Sequence, residues 1–370
     1  MLMLINFIKF AGWDIVFNFN LLKRQGNNWD PTNAKIFLDF AVEHNISIEG
    51  FHIGNEVNAY PGNGYMIIDP KTLVNDLNIL RNVLSTYPMY KESRVLGPEV
   101  TRFNKRSASD YLSGFLKAGG CDVVNEVTFH HYYISGYTAK VEEFTNVSVL
   151  DCLMEAFVKG KNIMKEHSCY SSFRMTETSS AFGGGTEGMS DRYMAGFLWL
   201  DKLGQSALNG VTVVHRQTFY GGHYGLFSIR NKQPTPDYYL SLLFKRLVEG
   251  PVFKVISPAT QLRVYCNCAR VGLYNPGAIV VYYLNLAKKP CKLNLAQFAD
   301  HVKDVYSLTP EKGDLAARRV LLNGKKLNMI GDAVPPTPPL KVAGDVQVEG
   351  RSFGFIVVPD ANQNLCKKYF

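Results

Sequence analysis

The stretch Ile46-Ser-Ile-Glu-Gly-Phe-His-Ile-Gly-Asn-Glu56 carries the features that predict the fold. Its first eight residues are mostly apolar or β-branched, which is typical of a buried strand. Two polar side chains, Asn55 and Glu56, follow at the point where the strand ends. Apolar residues recur at helical spacing over Ala34–Glu43, just before the strand. A helix, a buried strand and a polar strand end in this order are typical of an α/β protein.

The same arrangement recurs along the first 250 residues. We predict strands at Ile15–Asn20, Ile46–Gly54, Val95–Val100, Val127–Tyr133, Phe173–Thr178 and Val211–Phe219. Helical patterns lie between them at Ala34–Glu43, Val74–Leu84, Ala108–Ala118 and Met189–Gly204. Strands that alternate with helices in this way favour a parallel sheet, either in a barrel or in a doubly wound fold.

The strand ends discriminate between these two folds. Polar residues gather there, namely Asn20, Asn55, Glu56, Glu99, His130, His131, Glu177 and Gln217. In a (β/α) barrel the loops after the strands build the active site on one face. No GxGxxG sequence follows the first strand, which argues against a dinucleotide-binding doubly wound fold. We therefore favour a (β/α) barrel for residues 1–250. Only six strands are recognised, so either two further strands precede residue 1 or the fold is not an eight-stranded barrel.

Residues 251–370 show a different pattern. Strand-like runs at Val271–Tyr274, Ile279–Leu284 and Ser352–Val358 are separated by turns rich in Pro and Gly, such as Pro335–Pro339. Helical periodicity is weak in this part of the chain. The pattern predicts a small β-sandwich as a second domain after the barrel of residues 1–250.

Composition narrows the classes of partner. Apolar residues make up 46% of the chain and charged residues 19%, which allows a sizeable core and argues against disorder. The net charge of +8 favours a polyanionic partner. No run of five basic residues is present, so we expect no nucleic-acid-binding arm. Beyond residues 1–19 no apolar run is long enough to predict a membrane span.

The seven cysteines include no CxxC pair and no zinc-like Cys/His spacing, so we predict no metal site. We expect no cofactor. They allow one or two disulfides and leave at least one thiol unpaired within the chain. Glycosylation sequons at Asn45 and Asn146 suit a secreted protein. The apolar N-terminus is interrupted by Lys9 and Asp14 and lacks a cleavage site, so we favour a helix there over a signal peptide.

Glu56 and Glu177 are the candidate catalytic groups. A retaining glycosidase needs one carboxyl group to protonate the leaving oxygen and a second, roughly 5–5.5 Å away, to attack the anomeric carbon. Both residues lie at predicted strand ends, so a barrel would direct them to one face. The alternative for each is a surface residue in an ion pair. Asn55 is suited to bind the sugar 2-hydroxyl, and Gly183 and Gly184 let the backbone approach a ligand closely.

Two further motifs adjoin strand ends. His130 and His131 point to opposite faces of a strand, so they are poor co-ligands for one metal. One of them is suited to hydrogen-bond the nucleophile or the substrate, and a core histidine is the alternative. Lys105 and Arg106 are suited to hold sulfate or carboxylate groups, with a solvated loop as the alternative.

A long segment of the chain closely resembles the heparanases, which are retaining endo-β-glucuronidases that cut heparan sulfate. It reads ETSSAFGGGTEGMSDRYMAGFLWLDKLGQSALNGVTVVHRQTFYGGHYGLF over residues 177–227 and PTPDYYLSLLFKRL over residues 234–247. Shorter matching segments occur in the same order at Gly54–Glu56, Leu96–Val100, Phe115–Gly120 and His130–Tyr133. The similarity spans nearly the whole chain.

This resemblance implies a role for particular residues. Glu56 corresponds to the acid/base and Glu177 to the nucleophile. The implied substrate contacts are Asn55, Lys105, Arg106, His130, Tyr132, Gly183, Gly184, Gln217 and Tyr224. A disulfide between Cys268 and Cys366 is implied, as are an eight-stranded barrel with a β-sandwich and heparan sulfate or heparin as partner. Secretion or lysosomal residence of the full-length protein is also implied, although no signal peptide is evident here.

The chain departs from the heparanase pattern in three respects. It begins late, because the first two strands of the family's eight-stranded barrel have no counterpart here, so we expect a missing N-terminal segment or subunit. The family's Asn-Glu-Pro motif reads Asn55-Glu56-Val57, and cleft lysine and arginine positions correspond to Gly62 and Tyr137. These departures bear on sulfate preference rather than on the type of reaction. A non-catalytic homologue that binds heparan sulfate remains the alternative function, and a partial gene model of an intact enzyme would explain the late start.

Overall fold

The computed structural model describes residues 2–257 and 259–369. The chain forms two compact units and passes between them several times. The first unit contains Met1–His131, Glu155–Thr178 and Gly210–His215. The second contains Tyr132–Met154, Ser179–Asn209 and Arg216–Phe370.

The strands and helices alternate over the first 247 residues. The strands are β1 (Val16–Phe19), β2 (Arg24–Gln25), β3 (Asn28–Trp29), β4 (Gly50–Ile53), β5 (Arg94–Val100), β6 (Glu126–Ser135), β7 (Ser172–Phe182) and β8 (Val211–Arg216). The helices are α1 (Leu2–Ala11), α2 (Thr32–Glu43), α3 (Pro70–Ser85), α4 (Arg106–Lys117), α5 (Gly120–Val123), α6 (Val147–Glu166), α7 (Ala195–Leu208) and α8 (Pro236–Leu247). Short 3₁₀ turns occupy Val57–Ala59, Pro61–Asn63 and Val141–Thr145.

Six of these strands form one sheet in the order β1-β4-β5-β6-β7-β8. The ladders between β1 and β4, β4 and β5, and β5 and β6 are parallel. Because the spatial order follows the chain order, the connections are those of a barrel repeat rather than of a doubly wound sheet, where the order reverses. The α/β prediction is therefore confirmed, and the six strands are those predicted.

The predicted strand at Ile46–Gly54 is too long at its start. The ladder begins only at Gly50, and residues 46–49 are irregular. The backbone carbonyls of Ile46 and Ile48 accept from side chains instead, because the Tyr90 hydroxyl donates to Ile46 O and the Ser93 hydroxyl donates to Ile48 O, each at 2.8 Å. Both isoleucines are buried, so their apolar character reflects an anchored loop.

Other predicted boundaries also shift. The strand predicted at Phe173–Thr178 continues to Phe182, and the helix predicted at Met189–Gly204 begins at Ala195. The strand predicted at Val211–Phe219 ends at Arg216. The run Val271–Tyr274 is a turn, closed by a single bridge between its own ends.

Aromatic packing supports the sheet of the first unit. Phe129 on β6 stacks on Phe103 with ring centroids 4.5 Å apart, and both approach Phe173 on β7 within 5.7 Å. Phe157 on α6 contacts Phe129 at 5.8 Å. All four rings are buried, and each such burial contributes about 1.5–3 kcal/mol. The strands that carry the candidate site residues are therefore held firmly.

The remainder of the chain is mostly strand. It contains β9 (Val248–Phe253), β10 (Leu262–Ala269), β11 (Ile279–Asn285), β12 (Cys291–Leu293), β13 (Lys303–Pro310), β14 (Val320–Leu322), β15 (Lys325–Lys326), β16 (Leu340–Val342), β17 (Val346–Val348), β18 (Ser352–Val358) and the helix α9 (Asn364–Tyr369). Short 3₁₀ turns lie at Ala296–Phe298 and Glu311–Gly313.

Eight of these strands form a sheet in the order β15-β14-β13-β18-β11-β10-β9, with β16 also paired to β13. Strands β12 and β17 form a separate antiparallel ribbon. Side chains of the ribbon, such as Leu293 and Val348, share a core with Val281 and Ile356 of the sheet. The apolar alternation of β11 and β18 is thus explained by one face that packs on the ribbon.

Two disulfides are formed. One joins Cys121 to Cys169, and the other joins Cys268 to Cys366. Cys152, Cys266 and Cys291 take part in no disulfide. Within the described ranges, no helix is both long enough and apolar enough to cross a membrane.

Candidate active site

Four neighbouring strands bring the candidate residues of the first unit together, although His130 and Glu177 lie in the middle of their strands rather than at predicted strand ends. Glu56 lies three residues after β4, Glu99 lies near the end of β5, His130 lies in β6 and Glu177 lies in β7. Because these strands are parallel neighbours, residues far apart in sequence meet at one edge of the sheet.

His130 lies between the two candidate catalytic glutamates. Its Nδ1 is 3.1 Å from Glu56 Oε1 and 3.9 Å from Glu177 Oε2. One oxygen of each carboxylate and the imidazole nitrogen all lie within 4.8 Å of one another. The side chains of Glu56 and Glu177 are 29% and 25% exposed, so both reach solvent and a ligand can approach them.

The other nitrogen of His130 faces a buried carboxylate. Its Nε2 lies 3.0 Å from Oε2 of Glu99, whose side chain is 1% exposed. The Thr176 hydroxyl donates to the same oxygen at 2.9 Å, and His52 Nδ1 lies 3.6 Å from it. Glu99 is therefore surrounded by groups from β4, β6 and β7.

The charges of this group follow from its contacts. Burial by itself opposes the charge on His130, but the hydrogen bonds to Glu56 and Glu99 and the charges of Glu99 and Glu177 outweigh it, raising the pKa of His130 to about 10. Burial would raise the pKa of Glu99, yet His52 and His130 lower it to about 2. Burial lowers the pKa of His52, which favours its neutral form. His130 is therefore a positively charged imidazolium that lies between the carboxyl groups of Glu56 and Glu99.

The backbone adopts uncommon conformations at two of these glutamates. Glu56 has φ 51° and ψ 48°, and Glu99 has φ 55°. Left-handed backbone at a residue other than glycine costs about 1–3 kcal/mol and persists where the surroundings enforce it. Gly54 precedes Glu56 with φ 84°, and a Cβ there would come within 2.8 Å of Leu21. Glycine at this position lets the loop turn and present Glu56.

The residues around Glu56 link it to the predicted basic pair. Asn55 is exposed, and its backbone N–H donates to the Tyr60 hydroxyl at 3.3 Å. Asn58 donates to the hydroxyl of Ser107 at 3.3 Å, directly after Lys105 and Arg106.

The basic pair itself is exposed at the start of α4. Lys105 is the N-cap of this helix, and Arg106 forms an ion pair with Asp110 at 3.3 Å. The Arg106 side chain is 93% exposed, so little desolvation opposes a contact with an anion.

Five predicted substrate contacts belong to the second unit. The rings of Tyr132 and Tyr224 are buried and stack with centroids 6.3 Å apart. Gly183 and Gly184 have φ 81° and 92°, and a Cβ on Gly183 would meet a ring within 2.8 Å. Gln217 is partly buried directly after β8. The structure thus brings Glu56, His130 and Glu177 together in the first unit and places these five residues in the second.

The two sequons lie on the surface. Asn45 is exposed in the turn after α2, and Asn146 is exposed directly before α6. The Asn146 side chain accepts a hydrogen bond from the backbone N–H of Ser148 at 2.9 Å.

Glu56, His130 and Glu177 are also spaced closely enough to hold a metal ion. A histidine ligand must offer a lone pair, whereas an imidazolium offers two N–H donors and no acceptor. The raised pKa of His130 therefore disfavours metal binding at this place.

Sequence reasoning gave no role to Glu99, His52 or Thr176. Glu99 was recognised as a polar strand end, which is the signal that could have identified it. His52 lies inside a strand and Thr176 lies beside the candidate nucleophile, so neither stands out before the strands are assembled.

The sequence profile described as glycosyl hydrolase family 79, N-terminal domain, matches residues 3–204. The chain belongs to this glycoside hydrolase family. Mouse heparanase is 36% identical over 378 residues, which cover 98% of this chain and 69% of the mouse protein. A hyaluronoglucuronidase from Hirudo nipponia is 33% identical, covering 94% of this chain and 71% of its own length. The family 79 chain is therefore a heparanase-like glycoside hydrolase.

Two other similarities qualify this assignment. Human inactive heparanase-2 is 31% identical to this family 79 chain, covering 98% of it and 64% of the human protein. The crystal structure of a 4-O-α-L-rhamnosyl-β-D-glucuronidase from Fusarium oxysporum 12S superposes with a TM-score of 0.69 at 15% identity. It covers 95% of this chain and 79% of the fungal one, and it supports the α/β glycosidase fold.

Proposed function

We propose that this family 79 member is a retaining endo-β-glucuronidase that hydrolyses heparan sulfate, with Glu56 as acid/base and Glu177 as nucleophile. The observation that carries the proposal is the approach of their carboxylate oxygens to within 4.8 Å. Retaining glycosidases hold the two carboxyl groups roughly 5–5.5 Å apart, whereas inverting enzymes need about 6.5–9.5 Å to admit a water. The short separation supports the retaining mechanism.

In the first step, protonated Glu56 gives its proton to the glycosidic oxygen while a Glu177 oxygen attacks the anomeric carbon. The bond from that carbon to the leaving oxygen breaks, and a glycosyl ester forms on Glu177. In the second step, the Glu56 carboxylate takes a proton from water as the water oxygen attacks the anomeric carbon. The ester bond breaks, Glu177 is regenerated and the β configuration is retained.

Two observations support heparan sulfate as the proposed substrate: the positive net charge of the chain and its similarity to heparanases. The net charge of +8 suits a polyanion, and Lys105 and Arg106 are exposed in the unit that holds the carboxylates. The similarity to proteins named heparanase and hyaluronoglucuronidase supports the proposal that the substrate is a glucuronide polymer. Asn55, Tyr132, Gly183, Gly184, Gln217 and Tyr224 are proposed as further substrate contacts.

We extend the proposal to the rest of the molecule. The six-stranded sheet is proposed to represent a barrel of the eight-stranded type, with residues 1–250 as the catalytic domain. Residues 251–370 are proposed to be a β-sandwich domain. Secretion or lysosomal residence, with glycans on Asn45 and Asn146, is proposed because both asparagines are exposed.

A non-catalytic role in binding heparan sulfate is the second candidate. It is favoured by the 31% identity with human inactive heparanase-2. The close pair Glu56 and Glu177 argues for catalysis instead. The two functions differ in whether the polymer is cut or merely retained.

Chain-length analysis of the polymer tests the proposal. Purified protein is incubated with heparan sulfate and, in parallel, with hyaluronan, and the products are sized by gel filtration. Fragments of intermediate length from heparan sulfate, absent with Glu177→Gln, support the proposal. Cleavage of hyaluronan alone would identify hyaluronan, and not heparan sulfate, as the substrate. Binding without cleavage of either polymer would support the non-catalytic role.

A further inference from the structure

We infer that Glu99 is a positioning residue that keeps His130 oriented and charged, so that its imidazolium offsets the one negative charge that alternates between Glu56 and Glu177. This inference rests on the proposed function. It assigns a task to a buried carboxylate that the two-step mechanism itself does not use.

The geometry excludes direct contact between Glu99 and a substrate. The Glu99 side chain is 1% exposed, and His130 stands between it and Glu56. Its Oε2 faces His130 Nε2 at 3.0 Å and accepts a hydrogen bond from Thr176 at 2.9 Å. Glu99 therefore acts through the imidazole ring.

The ring is held at both nitrogens. With Nε2 directed at Glu99 and Nδ1 directed at Glu56, both nitrogens of a charged His130 donate. A carboxylate on the far nitrogen of a histidine orients the ring and determines which nitrogen carries a proton. Rotation of the ring would break both contacts, so Glu99 determines where the positive charge lies.

The neighbouring basic side chains do not supply the positive charge that His130 provides. The pKa values of His52 on β4 and His215 on β8 are both lowered, chiefly by burial, which favours their neutral forms. Arg174 on β7 is engaged by Glu126 at 2.6 Å and by Glu49 at 2.9 Å. The carboxylates that face His130 come from the loop after β4, from β5 and from β7, namely Glu56, Glu99 and Glu177.

The reaction cycle explains why a fixed positive charge is useful here. Before the first step Glu177 is ionised and Glu56 is protonated; afterwards Glu177 is a neutral ester and Glu56 is ionised. The pair carries one negative charge in both states, and that charge moves from one carboxyl group to the other. His130 Nδ1 faces both groups, at 3.1 Å and 3.9 Å. A preorganised charge at this place stabilises each carboxylate without rearrangement.

The raised pKa of His130, to about 10, agrees with this role. Loss of the Glu99 charge removes one of the contributions that oppose burial, so the pKa of His130 should fall. Glu99→Gln keeps the shape of the side chain and removes its charge. In that variant we expect His130 to lose its proton as the pH rises towards neutrality and to regain it in acid.

The first test compares the pH dependence of kcat for the parent and Glu99→Gln. We expect a loss of about tenfold to a hundredfold at pH 7.5, by analogy with other residues that orient a catalytic side chain. The ratio of variant to parent should rise as the pH falls, because His130 becomes charged again. Glu99→Asp, which retains the carboxylate, should restore the parent profile at least in part.

The matched control is Glu126→Gln, which removes another fully buried carboxylate from the same sheet, where it pairs with Arg174. This variant should lose stability while its pH profile keeps the parent shape. A Glu99→Gln profile that is lowered equally at every pH would overturn the inference.

The second test does not depend on turnover. Histidine side-chain NMR should show His130 charged up to about pH 9 in the parent and titrating at a lower pH in Glu99→Gln. A His130 that stays charged in the variant would overturn the inference even if the enzyme is active. If the parent cleaves no polymer while the NMR titration shifts as expected, the proposed function fails and the Glu99–His130 coupling stands.

Discussion

Nδ1 of His130 lies 3.1 Å from Oε1 of Glu56, although 74 positions separate the two residues in the chain. The contact joins the loop after β4 to the middle of β6. It places a positive charge beside the proposed acid/base and within 3.9 Å of the proposed nucleophile. The site therefore consists of Glu56, His130 and Glu177, and the buried carboxylate of Glu99 contacts the other nitrogen of His130.

The assignment of Glu56 predicts a rescue pattern. Glu56→Ala should hydrolyse heparan sulfate about 10²–10⁴-fold more slowly, because proton donation is lost. An aryl β-glucuronide with a good leaving group should still glycosylate Glu177, and added azide should restore turnover by replacing the activated water. The product, detected by mass spectrometry and NMR, should be the β-glucuronyl azide. Glu92→Gln, at an exposed position, is the control, and an α-azide product would refute the retaining mechanism.

His130 should make a pH-dependent contribution to stability. Its pKa is raised to about 10 from about 6.5 in an unfolded chain, so its contribution is complete below pH 6.5 and is lost as the pH rises through 10. We expect His130→Asn to lower the free energy of unfolding by about 3–5 kcal/mol at pH 6, since Glu99 loses its partner.

Denaturant unfolding at pH 6 and pH 10 checks this, with His44→Asn as the control for a partly exposed histidine. The difference between His130→Asn and the parent should be smaller at pH 10. An equal difference at both pH values would show that the charge of His130 does not contribute.

Arg174 should stabilise the amino ends of the parallel strands, on the side of the sheet away from the proposed catalytic glutamates. It lies at the start of β7, is 5% exposed and binds Glu126 at 2.6 Å and Glu49 at 2.9 Å. Arg174→Met should cost about 3–5 kcal/mol, because two carboxylates lose a buried partner. Arg94→Gln is the matched control; its side chain is 49% exposed and pairs with Glu49 at 3.0 Å, so we expect a cost of about 0–1 kcal/mol. Chemical denaturation measures both, and equal costs would contradict this reading.

Lys105 and Arg106 should strengthen binding of sulfated polymers through charge. Replacing both with glutamine should lower the salt concentration at which the protein elutes from heparin, because exposed cations act through screened attraction. Lys367→Gln with Lys368→Gln makes the same charge change on α9, where both lysines are exposed. If both double variants elute together, the contribution is one of net charge and the basic pair is not a specific contact.

Much of the fold was predictable because it depends on local periodicity. All six strands of the parallel sheet were recognised from apolar runs bounded by polar residues. Glu56 and Glu177 were recognised at predicted strand ends, but Glu177 lies in the middle of β7, which continues to Phe182. The boundary at Gly50 was not predictable, because Ile46 and Ile48 are as apolar as strand residues. Their carbonyls are taken by Tyr90 and Ser93, which lie more than 40 positions later in the chain.

The sequence by itself determined which residues could act: two strand-end glutamates, a histidine pair and a glycine-rich segment, with the long resemblance to a glycosidase family. It determined these because side-chain type and spacing are properties of the chain. Only the tertiary structure decided that Glu99 supports His130 and that His130 faces both glutamates. The contacts of His130 with Glu99 and Glu56 span 31 and 74 positions, and they exist only because the sheet places neighbouring strands side by side.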